Sequence, residues 1–144
     1  MKQLAIDIGQ VICHLEFENF NKVLAKHAEI SEEQANVFLF QSQKMHDLGF
    51  SILEKDLNNK FYNLDLLPSQ TREVMTEWHK TVVPNQIVMD WLVKLLAGGV
   101  EIALVSNIGM EHAETMKTIL APIYDKCIKF FSCEVGARKP SYVY

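Results

Sequence analysis

Two hydrophobic patterns alternate along the chain. In one, apolar residues run together: Leu4-Ala5-Ile6 leads straight into a lone carboxylate, Asp7, with Gly9 two positions on. A short continuous apolar run is how a strand buried on both faces of a parallel sheet reads, so a first strand is predicted over 3–9. Residues 100–105, interrupted only by Glu101, predict a second, and 127–132 a third. In the other pattern the apolar residues recur every three or four positions. Val88, Trp91, Leu92, Leu95 and Leu96 make one face of a helix that Gly98-Gly99 ends. A further helix spans about 110–121 and stops at Pro122. Strands alternating with helices imply a parallel sheet with crossover connections.

The stretch from Phe17 to Val83 breaks this alternation, since its pattern is helical throughout. Phe17, Phe20, Leu24 and Ala28 share a face. Ser31-Glu32-Glu33-Gln34 is a capping box that starts a second helix carrying Ala35, Phe38 and Leu39. Gly49-Phe50 ends that run, and Ser51-Ile52-Leu53-Glu54 reads as a second box, with Leu53, Leu57 and Phe61 stacked behind it. After Pro68-Ser69, a helix over about 70–82 presents Val74, Trp78 and Val82. Pro84 closes the insert. The connector 10–16 holds Cys13 and His14; His14 is near Asp7 in sequence, although a loop histidine is more often solvated. Pro140 suits the first turn of a last helix. Trp78 and Trp91 fit apolar faces and read as core, His79 as solvated, and Arg138 as a surface residue or an aid to phosphate binding.

Composition narrows the class. With 144 residues, 49% apolar and 22% charged, the chain fits one ordinary globular domain. The net charge of −4, with no basic stripe, points away from nucleic acid. The apolar runs are too short for a bilayer span, and the first residues do not read as a secretory signal. Cys13, Cys127 and Cys133 form no CxxC pair, which suggests reduced thiols and a cytoplasmic setting rather than a zinc site.

The candidate chemistry sits at the strand ends. Asp7 follows the first strand, Ser106-Asn107 closes the second, and Lys139 lies beyond the third. Parallel strands present these ends on one edge, where open α/β sheets bind ligands. Alone, Asp7 reads equally well as a turn or helix cap. Joined by a hydroxyl and an ammonium, it suits phosphoryl transfer. The carboxylate attacks phosphorus to form an aspartyl-phosphate, while Ser106 and Lys139 hold the phosphoryl oxygens as charge builds.

With these residues in view, the chain resembles the haloacid dehalogenase (HAD) superfamily, in the branch with a helical cap inserted after its first motif. Ile6-Asp7-Ile8-Gly9-Gln10-Val11 matches motif I, Leu104-Val105-Ser106-Asn107 motif II, and Gly136-Ala137-Arg138-Lys139-Pro140 motif III. Gly49-Phe50-Ser51 resembles the cap of the small sugar-phosphate phosphatases. The resemblance implies an α/β fold, a Rossmann-like parallel sheet formed by 1–14 and 84–144 with a helical cap over 15–83. It implies Asp7 as nucleophile and Mg²⁺ ligand, with the Gly9 carbonyl as a second ligand. Ser106, with Asn107 beside it, would bind the transferred phosphoryl group, and Lys139 would pair with Asp7 and the phosphate. The implied substrate is a small phosphorylated metabolite, sugar-phosphate-like, enclosed by the cap.

Two departures stand out. The family's general acid two residues after the nucleophile is replaced by Gly9, removing a contribution of about 10²–10⁴-fold. The acidic motif IV is also missing, for no Asp or Glu follows Glu134, and the chain reads as truncated before it. The alternatives are therefore a non-catalytic HAD-like binding module or an inactive fragment and, third, a metal-independent 2-haloacid dehalogenase. Ile6-Asp7-Ile8-Gly9 also resembles the first phosphate loop of actin-like kinases, which would require a hairpin and leave Ser106 and Lys139 unexplained. An open sheet edge, or the cap, suggests homo-oligomerisation.

Overall fold

The computed structural model describes residues 2–141. In chain order the elements are β1 (Lys2–Ile6), β2 (Cys13–Leu15), α1 (Glu18–Ala28), α2 (Glu32–Asp47), α3 (Leu53–Leu57) and α4 (Pro68–Lys80). These are followed by β3 (Val82–Pro84), α5 (Gln86–Ala97), β4 (Val100–Ser106), α6 (Met110–Ile119), β5 (Ile128–Phe131) and α7 (Ser132–Val135). The three predicted strands form one parallel sheet in the order β1-β4-β5, with Ile6 opposite Leu104 and Ser106 opposite Phe131. Helices pack against this sheet, and the fold is α/β as the sequence pattern indicated.

Two separate apolar clusters hold the chain together. The first joins Ile102 and Leu104 of β4 to Leu92 of α5, Met116 and Leu120 around α6, and Phe131 of β5. The second lies wholly within the helical insert, where Phe20, Leu24, Leu53, Leu57, Val74 and Trp78 meet. Each fully buried Leu or Phe removes enough apolar surface to contribute about 1.5–3 kcal/mol.

The sequence reading needs correction in several places. The first strand ends at Ile6, not at residue 9, because the chain turns at once: the Ile8 carbonyl accepts from the N–H groups of Ile12 and Cys13, both at 2.9 Å. β1 is an edge strand, with Lys2, Gln3 and Ala5 exposed, rather than one buried on both faces. The insert is framed by strands that periodicity did not reveal. Residues 13–15 pair antiparallel with 82–84, so Val82 belongs to β3 and not to the preceding helix, which stops at Lys80. Three-residue strands are too short to show a period of two.

The capping box at Ser31 forms as read, with Ser31 Oγ accepting from the Gln34 N–H at 3.1 Å and Gln34 Oε1 accepting from the Ser31 N–H at 2.8 Å. The second box does not form, because Ser51 Oγ donates instead to Asp56 Oδ1 at 2.6 Å. α3 is only five residues long, so Phe61 falls beyond it and is 82% exposed. Trp91 is also not core; it is 48% exposed at the margin of the α5 stripe, whose buried residues are Met89 and Leu92. The third strand runs directly into α7. Pro140 lies in a turn closed by the Ser141 N–H on the Arg138 carbonyl at 2.8 Å, and the rest of the predicted last helix, 142–144, lies outside the described residues.

Candidate active site

The carboxyl ends of the three parallel strands bring the sequence-selected residues to one edge. Asp7 follows β1 directly. Its Oδ1 accepts from the Ile8 N–H at 2.8 Å, and its Oδ2 accepts from the Lys139 ammonium at 2.5 Å. Both side chains keep access to solvent, at 44% for Asp7 and 30% for Lys139. The same ammonium donates to the Val105 carbonyl at 2.9 Å, which draws it in beneath the end of β4. Ser106 is the buried last residue of β4.

Asn107 does something the motif did not disclose. Its Nδ2 donates to the Lys139 carbonyl at 3.1 Å, and its Oδ1 accepts from the Lys139 N–H at 2.7 Å. Both ends of the amide thus hold the backbone that carries the lysine. Gly9 lies inside the tight turn after β1, in a bridge to Cys13, next to Gln10 with its positive φ of 60°. His14 is on β2 and exposed to solvent.

A cavity of about 510 Å³ opens from this edge toward the helical insert. Its floor includes Gly9, Ser106 and Asn107, and its walls include Phe17, Val37, Phe40 and Trp78. The volume falls in the range of small-molecule pockets. Trp78 is core, as read, but it is also a wall: it stacks on Phe17 at 6.0 Å and on His112 at 4.0 Å between ring centroids.

The insert meets the sheet through polar contacts that no sequence pattern announced. Glu111, in the first turn of α6, accepts from the N–H groups of Leu53 and Glu54 at 2.9 and 3.1 Å, capping α3 from a neighbouring element. Asp47, the last residue of α2, is buried with its Oδ2 3.0 Å from Arg138 Nε. Neither atom has a directed hydrogen bond, so the contact is mainly Coulombic. Burial pushes the Asp47 carboxyl above its ordinary range, and Arg138 pulls it partly back. Arg138 is therefore an inter-element partner and not a plain surface residue. His46, buried beside Asp47, pairs with Asp56 at 2.7 Å.

His112 Nε2 faces the Thr81 hydroxyl at 3.1 Å and the Trp78 carbonyl at 3.3 Å. Desolvation pushes its pKa down to about 4, leaving the ring neutral near pH 7. His79 is exposed but bonds Thr115 of α6 at 3.1 Å. One of these contacts had a legible clue: an Asp at a helix C-terminus opposes the dipole, so Asp47 needed a cation from elsewhere. Glu111 and His112 carried no such signal.

Two glycines lie where the backbones meet. A Cβ on Gly49, whose φ is +75°, would stand 2.6 Å from the Cys133 carbonyl oxygen. One on Gly109 would stand 3.2 Å from His46 Cβ.

Burial favours the protonated thiols. Burial pushes Cys13 and Cys133 up to about 11 and raises Cys127, and all three are free. Among the described residues no three His, Cys, Asp or Glu side chains converge on a metal position. Asp7, already paired to Lys139, and the Gly9 carbonyl are oxygen donors of the kind Mg²⁺ takes. Alone they fall short of a ligand set for it. No described helix is long and apolar enough to cross a membrane.

No family model and no curated protein sequence matches the chain. Solved structures do. A HAD family enzyme of Bacteroides thetaiotaomicron superposes with a TM-score of 0.74 at 20% identity, over 98% of this chain and 73% of that one. The same enzyme in complex with magnesium and inorganic phosphate gives 0.72 at 21%, with the same coverage. A HAD phosphatase from Thermococcus onnurineus gives 0.56 at 19%, over 98% of this chain and 66% of that one. Identities this low speak to architecture alone: the chain shares the α/β fold of these HAD enzymes.

Proposed function

We propose that the protein is a HAD-like hydrolase that cleaves small phosphomonoesters through an aspartyl-phosphate on Asp7, with 1–14 and 84–144 as its core and 15–83 as the cap over the site. The observation that carries this reading is the Asp7–Lys139 pair, which joins a carboxylate and an ammonium 132 residues apart at the open end of the sheet. A Bacteroides enzyme of the same fold in complex with magnesium and inorganic phosphate supports it.

In the first step an Asp7 oxygen attacks phosphorus opposite the ester oxygen. The new O–P bond forms as the ester P–O bond breaks, and its electron pair leaves with the alcohol oxygen, which takes a proton from solvent water. Lys139 and Ser106 hydrogen-bond the phosphoryl oxygens, and Asn107 keeps Lys139 in place. In the second step water attacks the acyl phosphate, releasing inorganic phosphate and restoring the carboxylate. Asp7 and the Gly9 carbonyl, the ligands expected for Mg²⁺, do not by themselves make a complete site for it. A small phosphorylated metabolite is the substrate class; the sugar-phosphate reading rests on the family resemblance alone.

The test is phosphate release from a phosphomonoester panel with and without Mg²⁺, together with acid quench and peptide mass analysis. A phosphoryl group on the peptide carrying Asp7 is the expected result. Asp7→Asn should lower turnover on the order of 10⁴-fold or more, with little change in melting temperature because Asp7 is half exposed. Undiminished turnover in Asp7→Asn sinks the reading. Metal-independent halide release from a 2-haloacid, without phosphatase activity, replaces it with dehalogenation.

A further inference from the structure

We propose that the cavity selects phosphomonoesters of aromatic alcohols, phenol-type leaving groups on an apolar ring, rather than phosphorylated polyols. This rests on the phosphomonoesterase reading of Asp7 and adds two independent observations.

The first is the character of the walls. Leu15, Phe17, Val37, Phe40, Trp78 and Met116 line the cavity above Gly9 and Ser106. A sugar turns hydroxyls in several directions, and each needs a partner once water is displaced. The charged and imidazole groups in the lining are already committed to protein, and beside Ser106 and Asn107 its remaining polar side chains are the amides Asn36, Gln41 and Gln43. His46 bonds Asp56, Asp47 meets Arg138, Glu111 caps α3, and His112 Nε2 bonds Thr81. The surface left for an occupant between the strand ends and the rim is largely apolar, and an aromatic ring matches it.

The second concerns the proton donor for the leaving oxygen. Two residues after Asp7 stands Gly9. Among the described residues, the titratable groups lining the cavity are His46, Asp47, Glu111 and His112; His46, Glu111 and His112 are hydrogen-bonded to protein, and Asp47 is buried against the Arg138 guanidinium. The neutral state of His112, forced by desolvation, agrees with this. A leaving group that departs without protonation is then favoured. A phenol ionises at about pH 10, like the tyrosine hydroxyl, whereas an alkyl alcohol, like water, is a far weaker acid. General-acid help worth about 10²–10⁴-fold is needed by the second and far less by the first. In the attack step, the electron pair of the breaking P–O bond is delocalised into the ring as phenolate, which later takes a proton from water.

The experiment has a binding arm and a kinetic arm. In the first, phenyl phosphate, benzyl phosphate and hexose 6-phosphate are titrated calorimetrically into the Asp7→Asn protein. Both ring compounds should bind at least tenfold tighter than the hexose phosphate, and Phe40→Gln, at an exposed rim position that folding does not need, should shrink that ratio several-fold. In the second, wild-type kcat/KM is measured across aryl phosphates of graded phenol pKa. It should fall steeply as the phenol pKa rises, and benzyl phosphate should turn over at least tenfold more slowly than phenyl phosphate. Equal or tighter binding of the hexose phosphate, a ratio untouched by Phe40→Gln, or a flat dependence on phenol pKa overturns the proposal while leaving the hydrolase reading intact. Aryl-selective binding without turnover of any phosphomonoester supports the ligand class and removes the hydrolase reading instead.

Discussion

The sheet unit and the helical insert place their polar groups by different means. In the sheet unit, position follows from the strands. Asp7 and Ser106 sit at the ends of neighbouring parallel strands, β1 and β4, so the register of Ile6 on Leu104 sets their separation before any side chain packs. In the insert, the buried polar groups owe their positions to packing across helices. His46 and Asp56 come from α2 and α3, and Asp47 finds its cation in Arg138, just after α7. Backbone pairing therefore builds a site that can be read along the chain, whereas side-chain packing builds a seam that cannot.

Core truncations probe the contrast most strongly. Leu104→Ala in the sheet cluster and Leu24→Ala in the insert cluster each remove a fully buried side chain. Each should cost about 2–5 kcal/mol by urea denaturation. Because Glu111, Asp47 and Gly49 tie the units together, both variants should lower amide protection in both clusters. Loss confined to the insert in Leu24→Ala would show the two units to be energetically separate. Gly49→Ala attacks the seam itself, combining a positive φ with a Cβ 2.6 Å from a backbone oxygen. A loss of roughly 1–3 kcal/mol is expected, with amide exchange rising first in 48–57; an unchanged melting temperature would mean that the backbones do not meet there.

The pH dependence sharpens the seam further. His112 has a folded pKa of about 4 against an ordinary 6.5. The unfolded chain thus binds the proton more readily between these values, and stability rises with pH across the window. The contribution is fully present above pH 6.5 and is lost as the pH falls through 4. It amounts to roughly 1–3 kcal/mol once contact with the cavity is allowed for. Asp47, whose carboxyl is raised by burial, slopes the other way, adding stability at acid pH that fades as pH rises through its folded value. The difference between wild type and His112→Gln in urea titrations from pH 4 to 7 isolates the histidine; parallel curves would refute the assignment. At the small end, Phe61→Ser should change stability by less than about 0.5 kcal/mol, because Phe61 is exposed and not stacked on Leu57 as its spacing suggested. A core-sized loss would return it to the insert cluster.

Legibility followed the same division. The three parallel strands, the first capping box and the Asp7, Ser106 and Lys139 constellation were visible because runs, caps and strand ends are local. The strands β2 and β3 were not, since three residues show no periodicity. Trp91 is exposed although its spacing predicts core, because helical spacing marks a face but not how far the neighbouring sheet extends beneath it. The Ser51 box predicted by spacing does not form because a serine has more than one partner within reach, and Asp56 takes its hydroxyl.

By itself, then, the sequence determined the α/β order, the helical nature of the insert and which polar residues stand at strand ends. Each of these depends on spacing along the chain, which the backbone converts directly into position. Only the tertiary structure decided that Asn107 clamps Lys139, that Glu111 caps a helix 57 residues before it, and that the ionisable groups around the cavity are already partnered. Those outcomes depend on which surfaces meet, and contact between residues far apart in sequence leaves no local period to read.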